Sequence, residues 1–572
     1  MASSPATMIG ADRAVARGLL VASLAHAGLY DELARLCGVR SRFASPAFKA
    51  DRTGSARRPL RKINRHFSLQ PNVPGQGIIA GYTPTFWGIV VLIGVATGLG
   101  GALLTVLLTF VEHISWSYDS GQLLAAVTRS GPGRRVIVLM VAGAIAGIGG
   151  LLVKRVRGSG AGEISEALWL GEGRLSFWSS QARGVLSIVI VAMGASLGRE
   201  GAPQLTGAAV ASSLSQWAKL PAWQRRLLVA CGAGAGMAAV YNVPLGGALF
   251  AVEVLLGTLT LPVVLPALVT SGVATAVAWI ALPDRATYSI PTFGVTGSQI
   301  VWAVIIGPLA GLLAVGWVRA IAAVNALKPT RWGRAVAPIV IFTAIGAIAI
   351  AYPQVLGNGK DLVQQVFTNH LGLALLAVLL VLKPVMTAAC LGSGAPGGLF
   401  TPTLALGVLF GALLGRGWVA LWPAVGIGSY AIIGGAAVLA ASMQGPLSAV
   451  VLMLELTHTA DGLIVPILLA VAEATIVARL LGAPSIYSAR LQPRSDGHGP
   501  IEGVGPLQPL APQATASGAH GGPSQRVVAV PTTATDPATV PATGATRAGA
   551  AERHGRLGVH EVIEDQQLHE RE

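Results

Sequence analysis

From about residue 84 to residue 490 apolar side chains follow one another almost without pause, and the breaks are made more by glycine and proline than by charge. Runs at 84–113, 134–153, 178–195, 222–239, 262–281, 297–321, 334–351 and 371–389 predict helices near the roughly 20 residues needed to cross hydrocarbon. Between them lie shorter segments near 203–215, 244–257, 402–414, 430–441, 446–457 and 463–481, several of them too short to span upright. Most of the short segments start at Gly/Pro-rich breaks. Irregular backbone is tolerated at membrane depth only where protein or a polar cavity satisfies its amides and carbonyls. The pattern therefore predicts a transporter or channel with discontinuous helices, not a simple receptor bundle.

Composition agrees that lipid is the main solvent. Apolar residues make up 53% of the 572 and charged residues 11%, against about 25% charge in a soluble globular protein. The flanks differ from the middle. Residues 1–66 hold twelve Lys or Arg against four Asp or Glu, and Arg57, Arg58, Arg61, Lys62 and Arg65 closely precede the first apolar run. The positive-inside rule puts this leader (1–80), with a short helix expected over 15–37, in the cytoplasm. Neither zinc spacing nor another recognition module accompanies the basic stretch, so nucleic acid is not the expected partner. The tail, 492–572, is rich in Pro, Ala, Thr and Gly, and its five scattered histidines form no tuned metal site. Disorder is expected for most of it. Cys37, Cys231 and Cys390 are too few and too far apart for a disulfide framework or metal cluster.

A repeat is written in the breaks. Gly158-Ser159-Gly160 has a weak echo in Gly357-Asn358-Gly359, and Pro203 a counterpart in Pro402, both 199 positions later. Tyr241-Asn242-Val243-Pro244-Leu245 is matched by Met443-Gln444-Gly445-Pro446-Leu447, 202 positions on, and nine residues after each proline comes a glutamate, Glu253 or Glu455. Two related halves with broken helices build transport sites at the bilayer midplane. Free amides and the positive dipole end at each helix start favour an anion, and flanking glycines let the backbone come close to it.

Four stretches carry a family resemblance: GSGAGE at 158–163, GREGAP at 198–203, GAPGGLFTP at 394–402 and PSIYSARL at 484–491. YNVPLGGALFAVE at 241–253 and QGPLSAVVLMLE at 444–455 support it. Over residues 80–491 the chain resembles the CLC family of chloride channels and chloride/proton antiporters. The resemblance implies an all-α polytopic membrane domain (81–491) of two inverted-topology halves, about 81–290 and 291–491, with many tilted and discontinuous helices. It further implies a homodimer with one pore per subunit in the inner membrane, both termini cytoplasmic, with chloride as ligand and no organic cofactor or metal.

Glu200 is the leading candidate. A carboxylate inside a membrane segment is costly, and a functional hypothesis by default; the plainer reading is an ion pair with Arg199. It resembles the family's gating glutamate, which competes with the permeant anion and takes up protons. Ser159 and Tyr487 match the hydroxyl donors of the family's central chloride site, and the amides of Leu399 and Phe400 its backbone donors. Gly158, Gly160, Gly198, Arg199, Gly201 and Gly398 form the surrounding backbone. Lys383, in an apolar run, adds positive potential to the pore or snorkels to an interface.

Three departures stand out. Ala161 and Gly162 replace the isoleucine and proline frequent in the serine motif, and Ala202 displaces the proline of the glutamate motif to Pro203. The third is Val254, where well-coupled antiporters carry a second glutamate after the equivalent of Glu253. Valine cannot hold a proton, so the sequence points to a passive chloride channel, with coupled exchange as the alternative. Glu253 and Glu455 read as structural carboxylates at helix ends, with a proton relay as the other reading of Glu253. A membrane enzyme or receptor is a remote third class, because an enzyme needs at least two convergent titratable groups and only Glu200 clearly qualifies.

Overall fold

The structure, a computed structural model, describes residues 82–117, 123–155, 163–330, 332–423 and 426–491. The expectations placed on the leader (1–80), on the tail (492–572) and on Gly158, Ser159, Gly160, Ala161 and Gly162 lie outside the described residues.

The described chain is helical, and its one β-bridge joins Gly198 to Gly398. In the first half α1 (Pro84–Trp116), α2 (Leu123–Arg129), α3 (Pro132–Arg155), α4 (Ile164–Trp169) and α5 (Phe177–Ala192) lead to α6 (Gly201–Trp217) and α7 (Ala222–Tyr241). Then come α8 (Pro244–Leu249), which widens into a π-helical turn over Phe250–Leu255, and α9 (Leu261–Ala278). The second half runs through α10 (Gly297–Ala326), α11 (Gly333–Ala351), α12 (Lys360–Phe367) and α13 (Leu373–Gly392). It continues with α14 (Phe400–Leu421), α15 (Ile427–Met443), α16 (Pro446–Thr457) and α17 (Ile464–Leu480), and closes on a 3₁₀ turn at Ser488–Arg490. Local chemistry sets several starts. Proline occupies the first turn of α1, α8 and α16, where its missing N–H costs nothing. At α10, Thr296 and Gln299 cap each other reciprocally.

Eight of the described helices are long and apolar enough to span a bilayer, and they are not quite the eight expected. The segment expected to stop at 414 runs on to Leu421 as α14. Arg416 does not end it, because its guanidinium reaches Asn369 Oδ1 at 2.8 Å and the Leu371 carbonyl. The run expected over 463–481 also qualifies as a span, Asp461–Leu480. Conversely, the run expected to reach residue 195 ends at Ala192, where Gly194 turns the chain at φ +105°. Helix α7 has length but a polar first turn (Gln224, Arg225, Arg226), and its middle is wrapped in protein rather than lipid.

The repeat seen in the sequence is also a packing repeat. Helices α6 and α7 meet where a Cβ on Gly207 would overlap the Gly232 carbonyl oxygen, and one on Gly232 the Gly207 carbonyl. In the second half α14 and α15 meet the same way: a Cβ on Gly407 would stand 2.8 Å from the Gly434 carbonyl. The halves then brace each other reciprocally. Glu253 accepts from Leu447 N–H (3.1 Å), Ser448 N–H (2.6 Å) and Ser448 Oγ (2.6 Å) at the start of α16. Glu455, from α16, accepts from Leu245 N–H (3.0 Å) and Gly246 N–H (2.6 Å) at the start of α8. Each carboxylate thus answers the free amides of the other half's helix, and that exchange is a two-fold relation. Both match the sequence reading of structural carboxylates at helix ends.

The α6–α7 seam can be tested directly. Gly207→Val forces backbone apart and should abolish the monodisperse peak on size exclusion in detergent. Gly316→Val, at a helix position with nothing within 4 Å of its Cβ, should leave that peak intact.

Candidate functional site

The two principal breaks meet. Gly198 N–H donates to the Gly398 carbonyl at 2.8 Å and Gly398 N–H to the Gly198 carbonyl at 2.9 Å. This antiparallel pair brings the start of α6 against the start of α14, and Glu200, the residue before α6, points its side chain into the junction. Its carboxylate is buried, at 1% exposure. Oε1 accepts from the Phe400 backbone N–H at 2.7 Å. Oε2 lies 3.2 Å from both Thr401 Oγ1 and Tyr241 Oη, which are themselves 2.7 Å apart. A Cβ on either Gly198 or Gly398 would collide with this carboxylate, so these two glycines make its room. Gly201 closes the same junction, since a Cβ there would come within 3.0 Å of the Gly398 nitrogen.

Around this seat the expected residues separate. Arg199 does not pair with Glu200: its guanidinium carbon stands 4.9 Å from the centre of the Tyr241 ring, a cation–π contact. Lys383 is fully buried and does not snorkel. Its ammonium donates to the carbonyls of Val355 (2.9 Å) and Gly357 (2.7 Å), holding the second half's glycine turn. Leu399 is buried at the turn before α14 and Phe400 opens that helix.

Tyr487 packs edge-on against Phe250, with centroids 5.3 Å apart. Its hydroxyl is buried, makes no full hydrogen bond to a described residue, and has the Gln204 side chain beside it. The segment is tied down by Ile486 N–H to the Ser442 carbonyl (2.8 Å) and by Arg490 to Glu163 Oε1 (3.4 Å). Glu163 is the last residue of the GSGAGE motif, so the Tyr487 segment is fastened to the end of the segment that carries Ser159. Val254 is half-buried against Gly445, and Glu253, committed to capping α16, is not in contact with Glu200.

Three contacts were not read from the sequence: Tyr241, Thr401 and the Glu163–Arg490 pair. All lie inside the quoted motifs, where the glycines and prolines drew the reading and the hydroxyls between them did not. Chemically the junction is an anion seat, made of a helix-start amide and two hydroxyls and filled by the protein's own carboxylate. No group of three or more His, Cys, Asp or Glu able to hold a metal occurs among the described residues.

Residues 138–479 match the family described as voltage gated chloride channel, well over half of the chain. A ClcB-like chloride channel protein of Ralstonia nicotianae is 34% identical over 70% of this chain and 96% of its own length. The voltage-gated ClC-type chloride channel ClcB of Escherichia coli is 32% identical over 70% of this chain and 97% of its own length. Among solved structures, a slow cyanobacterial Cl⁻/H⁺ antiporter superposes with a TM-score of 0.63 at 23% identity, covering 71% of this chain and 97% of that one. A CLC-type fluoride/proton antiporter superposes at 0.58 with 18% identity over 71% of this chain and 97% of that one.

If the carboxylate occupies an anion's place, removing it frees the Phe400 amide. Chloride affinity of the purified Glu200→Ala protein, measured by isothermal titration, should rise about tenfold, equivalent to about 1.4 kcal/mol.

Proposed function

The chain belongs to the voltage-gated chloride channel (CLC) family, and from that premise we propose that it carries chloride across a membrane through a site that the Glu200 carboxylate opens and closes. Membership makes it a multi-pass transport protein, not an enzyme. The observation that carries the reading is the seat itself: a buried carboxylate on a helix-start amide, where an anion would otherwise bind. Deprotonated, Glu200 competes with chloride for the Phe400 N–H. Protonated, it has no charge to be held there, and the seat becomes available. Ser159, Tyr487 and the Leu399 amide complete the permeant site as the resemblance implies, and Lys383 supplies positive potential nearby.

Coupled chloride/proton exchange is the mode we favour. One carboxylate that both displaces the anion and takes up a proton links the two ions at a single group, and the cyanobacterial and fluoride/proton proteins of this fold are antiporters. Passive conduction is the second reading, favoured by Val254 and by the channel names of the relatives ClcB-like and ClcB. A homodimer with one pore per subunit, in the inner membrane with both termini cytoplasmic, belongs to the same proposal.

Simultaneous chloride and pH recording on purified protein in liposomes tests it. Exchange predicts proton movement in fixed ratio to chloride, driven uphill by a chloride gradient and abolished in Glu200→Gln. Chloride efflux that leaves protons unmoved would overturn exchange in favour of conduction, with Val254 as its simplest cause.

A further inference from the structure

We propose that Tyr241 and Thr401 form a hydroxyl pair that holds the Glu200 carboxylate in its seat and sets the pH at which it leaves. This rests on the gating role of Glu200 proposed above and assigns two positioning residues to it.

The argument is a count of protons. Three oxygens, Glu200 Oε2, Tyr241 Oη and Thr401 Oγ1, lie within 2.7 to 3.2 Å of one another, and the two hydroxyls own one proton each. Two protons cannot fill three contacts. The shortest contact joins the hydroxyls, at 2.7 Å, so one hydroxyl donates to the other and the second donates to the carboxylate. The chain ends on Oε2. Both residues are buried, Tyr241 at 1% and Thr401 at 0% exposure, so water does not readily take their place. Arg199 stacked on the Tyr241 ring fixes that ring's position.

Hydrogen bonds to an ionised acceptor are roughly twice as strong as neutral ones. The pair therefore favours the charged, seated carboxylate over the protonated one. Losing either hydroxyl breaks the chain: the survivor, 3.2 Å from Oε2, still donates to it but without the neighbour that polarises it, and losing both leaves Phe400 N–H as the main donor, so protonation and release should occur at higher pH.

Other ionisable groups surround the seat. Arg199 precedes Glu200 on the chain, Tyr241 faces it from α7, Tyr487 from the segment before the last 3₁₀ turn, and Tyr288 from the loop before α10. Lys360 and Asp361 of α12 act on Arg199 and Tyr288. Of these, Glu200 and Asp361 are the carboxyls, and Asp361 Oδ2 is taken up by the Leu124 N–H at 2.8 Å. A Glu200→Gln control separates the two.

The test is chloride efflux from liposomes across a pH series, a readout common to exchange and conduction. Tyr241→Phe and Thr401→Val keep the shape and remove one hydroxyl each. Each should move the pH midpoint of efflux upward, by less than the double variant Tyr241→Phe/Thr401→Val, whose midpoint should rise by about one unit, a tenfold change in proton affinity. Thr401→Ser, which keeps the hydroxyl, should restore the wild-type curve. Isosteric variants that titrate like wild type, beside a Glu200→Gln protein whose efflux no longer depends on pH, would overturn the pair and leave the gate standing. A Glu200→Gln protein with an unchanged pH curve would overturn the gate, and the pair with it.

Discussion

A helix that begins inside a bilayer exposes amides that lipid cannot satisfy, and here two such beginnings are set against each other. Gly198 and Gly398 exchange backbone hydrogen bonds across the junction of the two halves. That exchange places the starts of α6 and α14 face to face and leaves a small polar space between them. An anion suits that space, because helix starts carry free N–H groups and the positive end of the dipole. The protein fills it with Glu200, whose carboxylate rests on the Phe400 amide. A side chain at 198 or 398 would occupy the same volume, so the pairing and the seat depend on the same two glycines.

The rest of the described fold holds this junction in register. Glu253 and Glu455 each close the start of a helix in the opposite half, so neither half can shift without uncovering amides. The glycine seams between α6 and α7 and between α14 and α15 bring backbone against backbone directly behind the two starts. Lys383 ties the 355–357 turn to α13 from within the protein, and Arg490 ties the Tyr487 segment to Glu163. Binding energy is thus spread over positions far apart in sequence, which is why the breaks can persist at membrane depth.

Much of this was legible in the residues alone. The offset of about 200 between Pro203 and Pro402, and between Glu253 and Glu455, is the offset at which the structure pairs Gly198 with Gly398 and repeats the Gly207–Gly232 contact as Gly407–Gly434. Glu200 was legible because an isolated carboxylate in apolar sequence is itself unusual. Partners were not legible. Lys383 offered burial or snorkelling equally until the carbonyls of Val355 and Gly357 were found above its ammonium. The segment expected over 402–414 continues to Leu421, with Arg416 held by Asn369 and the Leu371 carbonyl. Tyr241 and Thr401 sit in motifs whose glycines and prolines are the louder signal, and their hydroxyls acquire meaning only when residues 160 positions apart meet. Each of these depends on tertiary contact, which local pattern does not encode.

The central claim is that a proton and a chloride compete through one carboxylate. It is tested most directly by adding chloride to purified protein in weakly buffered detergent solution and recording the pH. If Glu200 must be displaced from the Phe400 amide for chloride to bind, binding draws protons onto it, and the solution becomes more alkaline as the site fills. The same addition to the Glu200→Gln protein should leave pH unchanged while chloride still binds. Chloride binding to the wild-type protein with no proton uptake, or equal uptake in both proteins, would contradict the account.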